Sequence, residues 1–545
     1  MAQLSSGLNS KAVSALLILL VGSPFPLHAR KFYDDDPMAK EPPPLNVQQP
    51  LARKLSDYYD LFHHTFATPG ERQNQGRLIP AQNGNTLGEV PNSGWYTNRH
   101  YASPMSTEEL ARGVGDANAP ESGGRWTVIA AKTEGVTPGF TIRDSRGRRY
   151  VMKFDPLDYL EMATAAEIIS SKFFHALGYF VPENYLVEFS REQIVVGEDV
   201  LLRDQLGNVR KMSERNITEI LLNVPRNRNG KYRAVASLYI TGKNVGPFRY
   251  NGTRRDDPND AVPHEHRRDL RGLSVFCAWL GHDDSRAINT SDFLVQESGI
   301  QYLKHYLIDF GATLGSSSTR PNSPRSGFEY LFSWGPPAVQ FFTFGLIVPK
   351  WAMAKYPNLP SVGRFESEKF DAEHWVPEYP NPAFLNRLPD DEFWAARQVM
   401  NFSDEQVRAI VRTGGYSDSR AEQWVADRLI ERRDKIGKVF LPKVLPLDRF
   451  AIADGRLVFE DLAAHFRIAP ATQYSVQWSR FDNESEAKTA LSGETSFSVP
   501  AQVASSPRRE YFAADIRGAD PRKTITVYVR TGHGEVQVVG IDRRW

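Results

Sequence analysis

The chain has 545 residues, of which 41% are hydrophobic and 24% are charged, so it can build hydrophobic cores. This length predicts two to four domains. The net charge is +1, which gives no general electrostatic reason to expect binding to nucleic acid or to a membrane surface. Cys277 is the single cysteine, which excludes an intramolecular disulfide, and its apolar surroundings predict a buried side chain.

Residues 1–29 are typical of an export signal. Lys11 precedes the apolar run 12–22, and the sequence Leu27-His28-Ala29 gives a small-residue cleavage site. A membrane-spanning helix needs about 20 apolar residues, so the run is short for a span. We expect an exported protein, periplasmic or extracellular, with no stable membrane span after cleavage. A retained anchor and a cytoplasmic chain are the alternatives.

Residues 30–124 are predicted to be an N-terminal extension that wraps the core. Its stretch "LSDYYDLFHHTFATPGE" has aromatic and apolar residues at helical spacing. We therefore expect a helix there that docks on the main body.

From residue 125 the pattern predicts three strands, "WTVIAAK", "FTIRD" and "RYVMKF", followed by a helix over 158–178. A glycine-containing turn with Gly135 and Gly139 joins the first two strands. Glu167 lies at the edge of the apolar stripe of the helix, where a carboxylate needs a partner. Lys153, on the strand before the helix, is the partner that we predict.

This order of elements is typical of phosphate-handling sites. Glycine turns let backbone amides approach an anion, a strand lysine reaches phosphate oxygens, and a helix glutamate holds the lysine in place. A later strand within 232–248 ends at Thr241-Gly242. The candidate nucleotide contacts are Gly135, Gly139, Lys153, Thr241 and Gly242.

A predicted helix over 263–280 leads into "LGHDDSRAINTSDFL", residues 280–294, and "IDFG" follows at 308–311. Asn289 and Asp309 are oxygen ligands that suit Mg²⁺, which takes few protein carboxylates. Asp284, five positions before Asn289, can accept a hydroxyl proton and orient the nucleophile. The intervening "FLVQESGIQYLKHYLIDF" predicts a strand–turn–strand hairpin.

Lys153, Glu167, "HDDSRAIN" and "IDFG" together resemble the protein-kinase-like fold, in its atypical HipA-like, Fam20-like and CotH-like branches. The resemblance implies an α+β fold with a two-lobed kinase-like core, an N-lobe at 125–245 and a helical C-lobe at 246–441. It implies Mg²⁺ and ATP as cofactors, a nucleotide as partner, and phosphotransfer to an unknown protein or glycan hydroxyl. The implied catalytic residues are Asp284, Lys153 and Glu167, with Asn289 and Asp309 at the metal. Asp283 stands where the family has arginine.

Two other functions fit the same residues. One is a catalytically inactive kinase-like module that binds nucleotide or a partner at the cell surface. The other is a metal-dependent hydrolase that uses His264, His266 and His282 with the acidic residues Asp283, Asp284 and Asp309, although helical zinc sites favour histidines four apart. The stretch "HEHRRDLR" could instead contact phosphate or acceptor, but a solvated helix start is favoured.

After Asp309, residues 316–327 predict an exposed loop like an activation segment. The run 338–348 predicts a core helix, and acidic or serine starts predict further helices up to residue 441. Residues 442–545 have short alternating runs separated by turns, which predict a C-terminal β-sandwich domain.

Overall fold

The computed structural model describes residues 30–74, 76–131, 139–203, 209–344, 346–491, 495–506, 508–532 and 534–545. The predicted export signal and Gly135 lie outside these ranges. The helices are α1 (Asp57–Phe62), α2 (Thr107–Arg112), α3 (Met162–Ala176), α4 (Glu214–Leu221), α5 (Arg268–Leu280), α6 (Gly335–Phe342), α7 (Pro382–Leu385), α8 (Pro389–Met400), α9 (Asp404–Arg412), α10 (Ser419–Phe440), α11 (Leu462–His465) and α12 (Ala501–Ala504).

The strands alternate with these helices in a mixed α/β arrangement. They are β1 (Trp126–Ala131), β2 (Gly139–Arg143), β3 (Arg149–Phe154), β4 (Asn184–Phe189), β5 (Ile194–Val196), β6 (Leu201–Arg203), β7 (Val209–Lys211), β8 (Tyr232–Leu238), β9 (Lys243–Asn244), β10 (Thr290–Glu297), β11 (Ile300–Leu307), β12 (Leu447–Ala453), β13 (Arg456–Asp461), β14 (Ser475–Phe481), β15 (Lys488–Ala490), β16 (Tyr511–Arg517), β17 (Thr524–Gly532) and β18 (Glu535–Arg544).

A six-stranded sheet, in the order β4-β8-β3-β2-β1-β5, carries the first half of the candidate site. On β3, the strand period of two buries Tyr150, Met152 and Phe154 in the sheet's core. Lys153 therefore points to the opposite face, toward helix α3.

Helix α3 is buried on nearly all of its surface, including Glu167. It packs against β4 and β8, against α9, and against a 3₁₀ turn at Phe310–Ala312. Because a helix enclosed on all sides has no solvent face, its single carboxylate has to be paired within the protein.

Helices α5, α8 and α10 pack on one another around a second, larger core, and buried Trp279 donates from its indole nitrogen to the Leu429 carbonyl oxygen, 2.9 Å away. Cys277 is buried in α5, as predicted. Helix α5 ends at Gly281, whose φ of +65° turns the chain directly into residues 282–289.

The predicted hairpin is present as β10 and β11. Its antiparallel register runs from Thr290 opposite Leu307 to Glu297 opposite Ile300. The Ile308 amide donates to the Asn289 carbonyl oxygen over 3.0 Å. Two residues that lie 20 positions apart in sequence, Asn289 and Asp309, are thereby brought to the same end of one hairpin.

The C-terminal part contains a five-stranded antiparallel sheet in the order β15-β14-β16-β17-β18. The hairpin β12–β13 packs on one face and shares a core with it through Leu447 and Leu457. Phe32 of the N-terminal extension packs on the other face, against Phe481 and Tyr528. We predicted a sandwich of two sheets; the structure has one full sheet, covered by a short hairpin and by an aromatic residue from the extension.

The prediction of a core helix at 338–348 is wrong. Helix α6 ends at Phe342, and the side chains of Phe341, Phe342, Phe344, Leu346, Ile347 and Val348 are exposed. A short apolar run has the same sequence pattern whether it is buried or projects from the surface. In the part of the chain that the structure describes, no helix combines the length and the apolar character needed to cross a membrane.

Candidate active site

Lys153 lies between two carboxylates from different parts of the chain. Its Nζ is 2.8 Å from Glu167 Oε1 and 3.2 Å from Asp309 Oδ1. The Lys153–Glu167 contact is the one that the sequence predicted, and the contact with Asp309 was not foreseen. A strand, a helix and the end of a hairpin thus meet at one ammonium group.

Burial opposes the charge on this lysine, but its two partners favour it. Burial alone would lower the pKa of Lys153; Asp309 and Glu167 more than offset that effect, so the pKa lies above its usual value. Burial raises the pKa of Glu167, and Lys153 opposes that rise. The charged lysine is therefore the form that the site stabilises.

Asn184 is a further part of this cluster that the sequence analysis missed. Its Nδ2 donates to Glu167 Oε1 at 3.1 Å, and the Ser237 hydroxyl donates to its Oδ1. Asn184 and Ser237 face each other in the register of β4 and β8. The chain of contacts from Ser237 to Glu167 fixes the orientation of the carboxylate.

The loop after α5 holds Asn289 against Asp284. Asn289 Nδ2 donates to the backbone oxygen of Asp284 over 2.7 Å, and residues Ala287–Asn289 form a 3₁₀ turn. The Asp284 carboxylate is in contact with the guanidinium of Arg286 and remains 22% exposed. The segment from Asp284 to Asn289 therefore closes into a local loop, and the Asp284 carboxylate lies at the surface of that loop.

Arg286 connects this loop to two other elements. Besides Asp284, it contacts Asp57 of α1 at 2.9 Å and Glu378 at 3.5 Å. Burial would lower the pKa of Arg286, but Asp284 and its other acidic neighbours hold it above its usual value. The predicted docking of the extension helix is present, and it occurs directly beside the candidate catalytic loop.

Asp283 faces away from its neighbour Asp284, into the protein. It accepts from Asn322 Nδ2 at 2.9 Å and from the Ser326 hydroxyl. Burial raises the pKa of Asp283 to about 7, although these two hydrogen bonds lower it. The loop 316–327, predicted to be exposed, is therefore partly tied down by the acid next to the candidate base.

The candidate nucleotide-contact residues are placed differently. Gly139 lies opposite Lys153 in the register of β2 and β3. Thr241 and Gly242 belong to the link between β8 and β9, and Thr241 is exposed. Gly242 has φ +116°, and a Cβ there would lie 2.5 Å from the Leu294 carbonyl oxygen, so close backbone packing is enough to require this glycine.

The histidines of the hydrolase alternative are used in separate structural contacts. His264 Nε2 lies 2.8 Å from Asp260 Oδ2, His266 lies 2.8 Å from Arg271, and His282 lies 3.4 Å from the Ala312 carbonyl oxygen. Residues 264–266 are buried, so the expected solvated helix start is wrong. Within the described ranges, no group of three or more His, Cys, Asp or Glu side chains could hold a metal ion.

Asn289 and Asp309 have the donor chemistry that a hard divalent cation needs. The hydrogen bond from Asn289 Nδ2 orients its amide so that the other end is an oxygen acceptor. Asp309 is 48% exposed and has φ +65°, an uncommon conformation for a non-glycine residue. Two protein oxygen donors, one of them on a half-exposed side chain, suit Mg²⁺, which keeps waters and substrate oxygens in its shell.

Comparisons with known proteins identify similar solved structures. No family model matches the sequence, and no curated protein matches it. The proinflammatory kinase CtkA of Helicobacter pylori is 12% identical with a TM-score of 0.32, covering 59% of this chain and 96% of its own. The Golgi casein kinase with Mn/ADP bound has 9% identity, a TM-score of 0.28, and coverages of 61% and 73%. Hydra Fam20 with sugar has 11% identity, a TM-score of 0.30, and coverages of 62% and 96%.

Proposed function

We propose that this protein is a Mg²⁺-dependent phosphotransferase of the atypical protein-kinase-like type, which transfers phosphate from ATP to a hydroxyl group. The observation that carries the proposal is the Lys153 bridge, which joins Glu167 at 2.8 Å and Asp309 at 3.2 Å. A partly exposed lysine held by a buried helix glutamate beside an exposed aspartate is the arrangement that phosphate handling requires. The two-lobed division at residues 125–245 and 246–441 belongs to this proposal.

Each side chain has one task in the proposed reaction. Lys153 contacts phosphate oxygens, and Glu167, itself oriented by Asn184, holds the ammonium in place. Asn289 and Asp309 hold the divalent cation, which supplies positive charge to the phosphates when it is bound. Gly139 lets the backbone of β2 approach the nucleotide beside Lys153.

Asp284 orients the acceptor in this proposal. Its carboxylate is at the surface of the loop, where it can accept a hydrogen bond from an incoming hydroxyl and take the proton as the new P–O bond forms. The acceptor oxygen attacks the γ-phosphorus, the bond to the β-phosphate oxygen breaks, and ADP leaves. Asp283 does not take this role because its oxygens already accept from Asn322 and Ser326.

A nucleotide-binding module without catalysis is a second candidate, and one observation favours it. The guanidinium of Arg286 is in contact with the Asp284 carboxylate and so occupies an oxygen that an acceptor hydroxyl would need. If this pair persists when nucleotide binds, the chain binds Mg-ATP and does not turn it over.

The test separates Asp284 from Asp309 in the full mature chain. Affinity for Mg-ATP is measured by calorimetry, and phosphate transfer or hydrolysis by mass spectrometry. Asp309→Asn removes a charge from the metal site, so both affinity and turnover should fall. Asp284→Asn should leave affinity nearly unchanged and lower turnover by about 10²–10⁴, the usual contribution of a positioned base. Asp454→Asn, an exposed residue on a distant turn, is the matched control.

The results distinguish the candidates. Mg-ATP binding without turnover in the wild type selects the binding module. An Asp309→Asn variant that binds Mg-ATP as tightly as the wild type removes Asp309 from the metal site. A greater loss from Asp283→Asn than from Asp284→Asn would show that the step from Asp284 to Asn289 is a coincidence of sequence.

A further inference from the structure

The chain carries an apolar projection that the proposed reaction does not use. We call residues 331–348 the apolar tongue; it contains helix α6. Five of its apolar side chains are largely exposed: Trp334 is 79% exposed, Phe341 77%, Phe342 78%, Phe344 93% and Leu346 85%. Side chains exposed to this extent project away from the body of the protein. Clustered apolar exposure of this kind marks an interaction site.

Along the sequence, the charged residues that follow the tongue have one sign. From Tyr330 to Phe365 the sequence contains no Asp or Glu, and it contains Lys350, Lys355 and Arg364. Lys350 pairs with Asp371 at 2.9 Å but keeps 66% of its side chain exposed. Glu329, just before this stretch, is occupied by Arg325 and by the indole nitrogen of Trp351. The tongue is therefore an uncharged apolar segment followed by cations.

The tongue is continuous with the acceptor side of the candidate site. The ring of Phe332 lies 6.0 Å from that of Phe62 and 6.1 Å from that of Phe66. Helix α1, which ends at Phe62, also supplies Asp57 to Arg286 beside Asp284. Tyr58 and Tyr59 on the same helix are exposed, which extends the aromatic surface.

We propose that the apolar tongue inserts into the interfacial region of a lipid bilayer that carries anionic lipids. Bare Phe, Trp and Leu side chains enter the boundary between headgroups and acyl chains, and the lysines that follow meet the lipid phosphates. A projecting, uncharged segment with a cationic flank suits a soft anionic surface better than a protein partner, whose interface combines a packed core with a polar rim of both charges. The ring contacts of Phe332 would then hold the candidate site close to that membrane.

The test is co-sedimentation of the full mature chain with vesicles, which needs no catalytic activity. The vesicles are phosphatidylcholine alone, or phosphatidylcholine with about 30% phosphatidylglycerol to give an anionic surface. We expect binding to the anionic vesicles to be at least about tenfold tighter than to the neutral ones, because the flanking charges act with the apolar residues.

Two variants and one control localise the binding. Phe341→Ser/Phe342→Ser/Leu346→Ser should abolish sedimentation with either vesicle. Lys350→Ala/Lys355→Ala should remove most of the preference for anionic lipid. Leu222→Ser, at a 71% exposed apolar residue just after α4, should bind like the wild type. Since all of these residues are at the surface, near-ultraviolet circular dichroism should be unchanged.

Three outcomes would overturn the inference. Wild-type protein that stays in the supernatant with anionic vesicles excludes the membrane. Equal binding by the triple serine variant places any lipid contact elsewhere. A concentration-dependent dimer in sedimentation equilibrium, lost in the triple variant, with no vesicle binding, would show that the tongue joins two copies of the chain.

Discussion

Lys153 shows how strongly a buried site depends on a single pair of charges. Glu167 is 1% exposed, and its polar contacts are Lys153, Asn184 and the backbone amide of Gly311. Removing the cation alone leaves a buried carboxylate without a charged partner, whereas removing both charges together leaves a neutral cavity. The first change should therefore lower the free energy of unfolding much more than the second.

We predict that Lys153→Met lowers the free energy of unfolding by about 3–5 kcal/mol, the usual cost of breaking a buried pair. The double variant Lys153→Met/Glu167→Met should recover most of that loss and still fail to bind Mg-ATP productively. Urea denaturation and calorimetry measure the two effects separately. A double variant that is as unstable as Lys153→Met would mean that the pair does not account for the loss.

Asp283 should make stability depend on pH. Its pKa is about 7 in the folded chain and near 3.8 when unfolded, so the folded state binds the extra proton between these values. Since the folded state holds the proton more tightly, the contribution of this group to stability falls as pH rises from about 4 to about 7, by on the order of 4 kcal/mol. Urea denaturation of Asp283→Asn should show a flatter pH profile, and Asp454→Asn should follow the wild type. Because other groups, such as His175 with its lowered pKa, titrate in the same window, the comparison is between the variant and the wild type; an Asp283→Asn profile that runs parallel to the wild type would contradict the assignment.

The central residues of the site could be predicted because each carries a signal within a short stretch of sequence. Lys153 follows a strand pattern, Glu167 interrupts an apolar stripe, and Asp284 and Asn289 have a fixed spacing. Asn184 and Arg286 were missed because their roles depend on partners far along the chain, such as Asp57. Nothing in a single sequence connects an arginine at 286 with an aspartate at 57.

At the scale of elements, the turn of the β10–β11 hairpin should tune stability without touching the chemistry. Ser298 has φ +52° and Gly299 has φ +83°, and two positive φ values in succession favour Asn-Gly. Ser298→Asn should therefore raise the free energy of unfolding by about 0.5 kcal/mol, with unchanged Mg-ATP affinity. Gly299→Val should lower it, since a β-branched residue is strained there. Thermal melting gives both values, and a stabilised Gly299→Val variant would contradict them.

The elements were predictable where the spacing of apolar residues and the length of the segment indicated the same type of element, as in β3, α3 and the β10–β11 hairpin. The prediction failed at 338–348 because an apolar run shows what a segment is made of but not what covers it. The prediction of a β-sandwich also missed how the C-terminal sheet is covered. The face of the sheet opposite the β12–β13 hairpin is covered by Phe32, which lies more than 400 positions earlier in the sequence. Contacts between residues so far apart in the sequence leave no pattern in any short stretch of it.

At the scale of the whole molecule, the C-terminal sheet is tied to the helical core through buried charge. Asp448, just after the predicted boundary, contacts Arg397 of α8 at 2.6 Å and Arg543 of β18 at 3.3 Å. Arg397 is 4% exposed, and Glu89 of the extension is its other acidic partner. The C-terminal part also supplies Val444 and Leu462 to the helical core, so the two parts share apolar packing as well as this ionic contact.

We predict that a chain ending at Phe440 melts at a lower temperature than the full chain, because Arg397 loses Asp448 and the helical core loses Val444 and Leu462. Arg397→Met in the truncated chain should recover part of the loss, and the same substitution in the full chain should be destabilising. Differential scanning calorimetry compares the four proteins. A truncated chain that melts with the full one would show that the shared ionic contact contributes little.

The path of the extension has a consequence for the order of events during biosynthesis. Phe32 packs under the last sheet, Val47 donates to Gln301 of β11 at 2.7 Å, and Asp57 pairs with Arg286. Synthesis runs from the amino end, so the extension, whose Asp57 braces the loop of Asp284, emerges early. The C-terminal sheet on which Phe32 packs is made last. Such long-range contacts form late. The contacts that anchor the beginning of the extension should therefore form only after the last strands have been made.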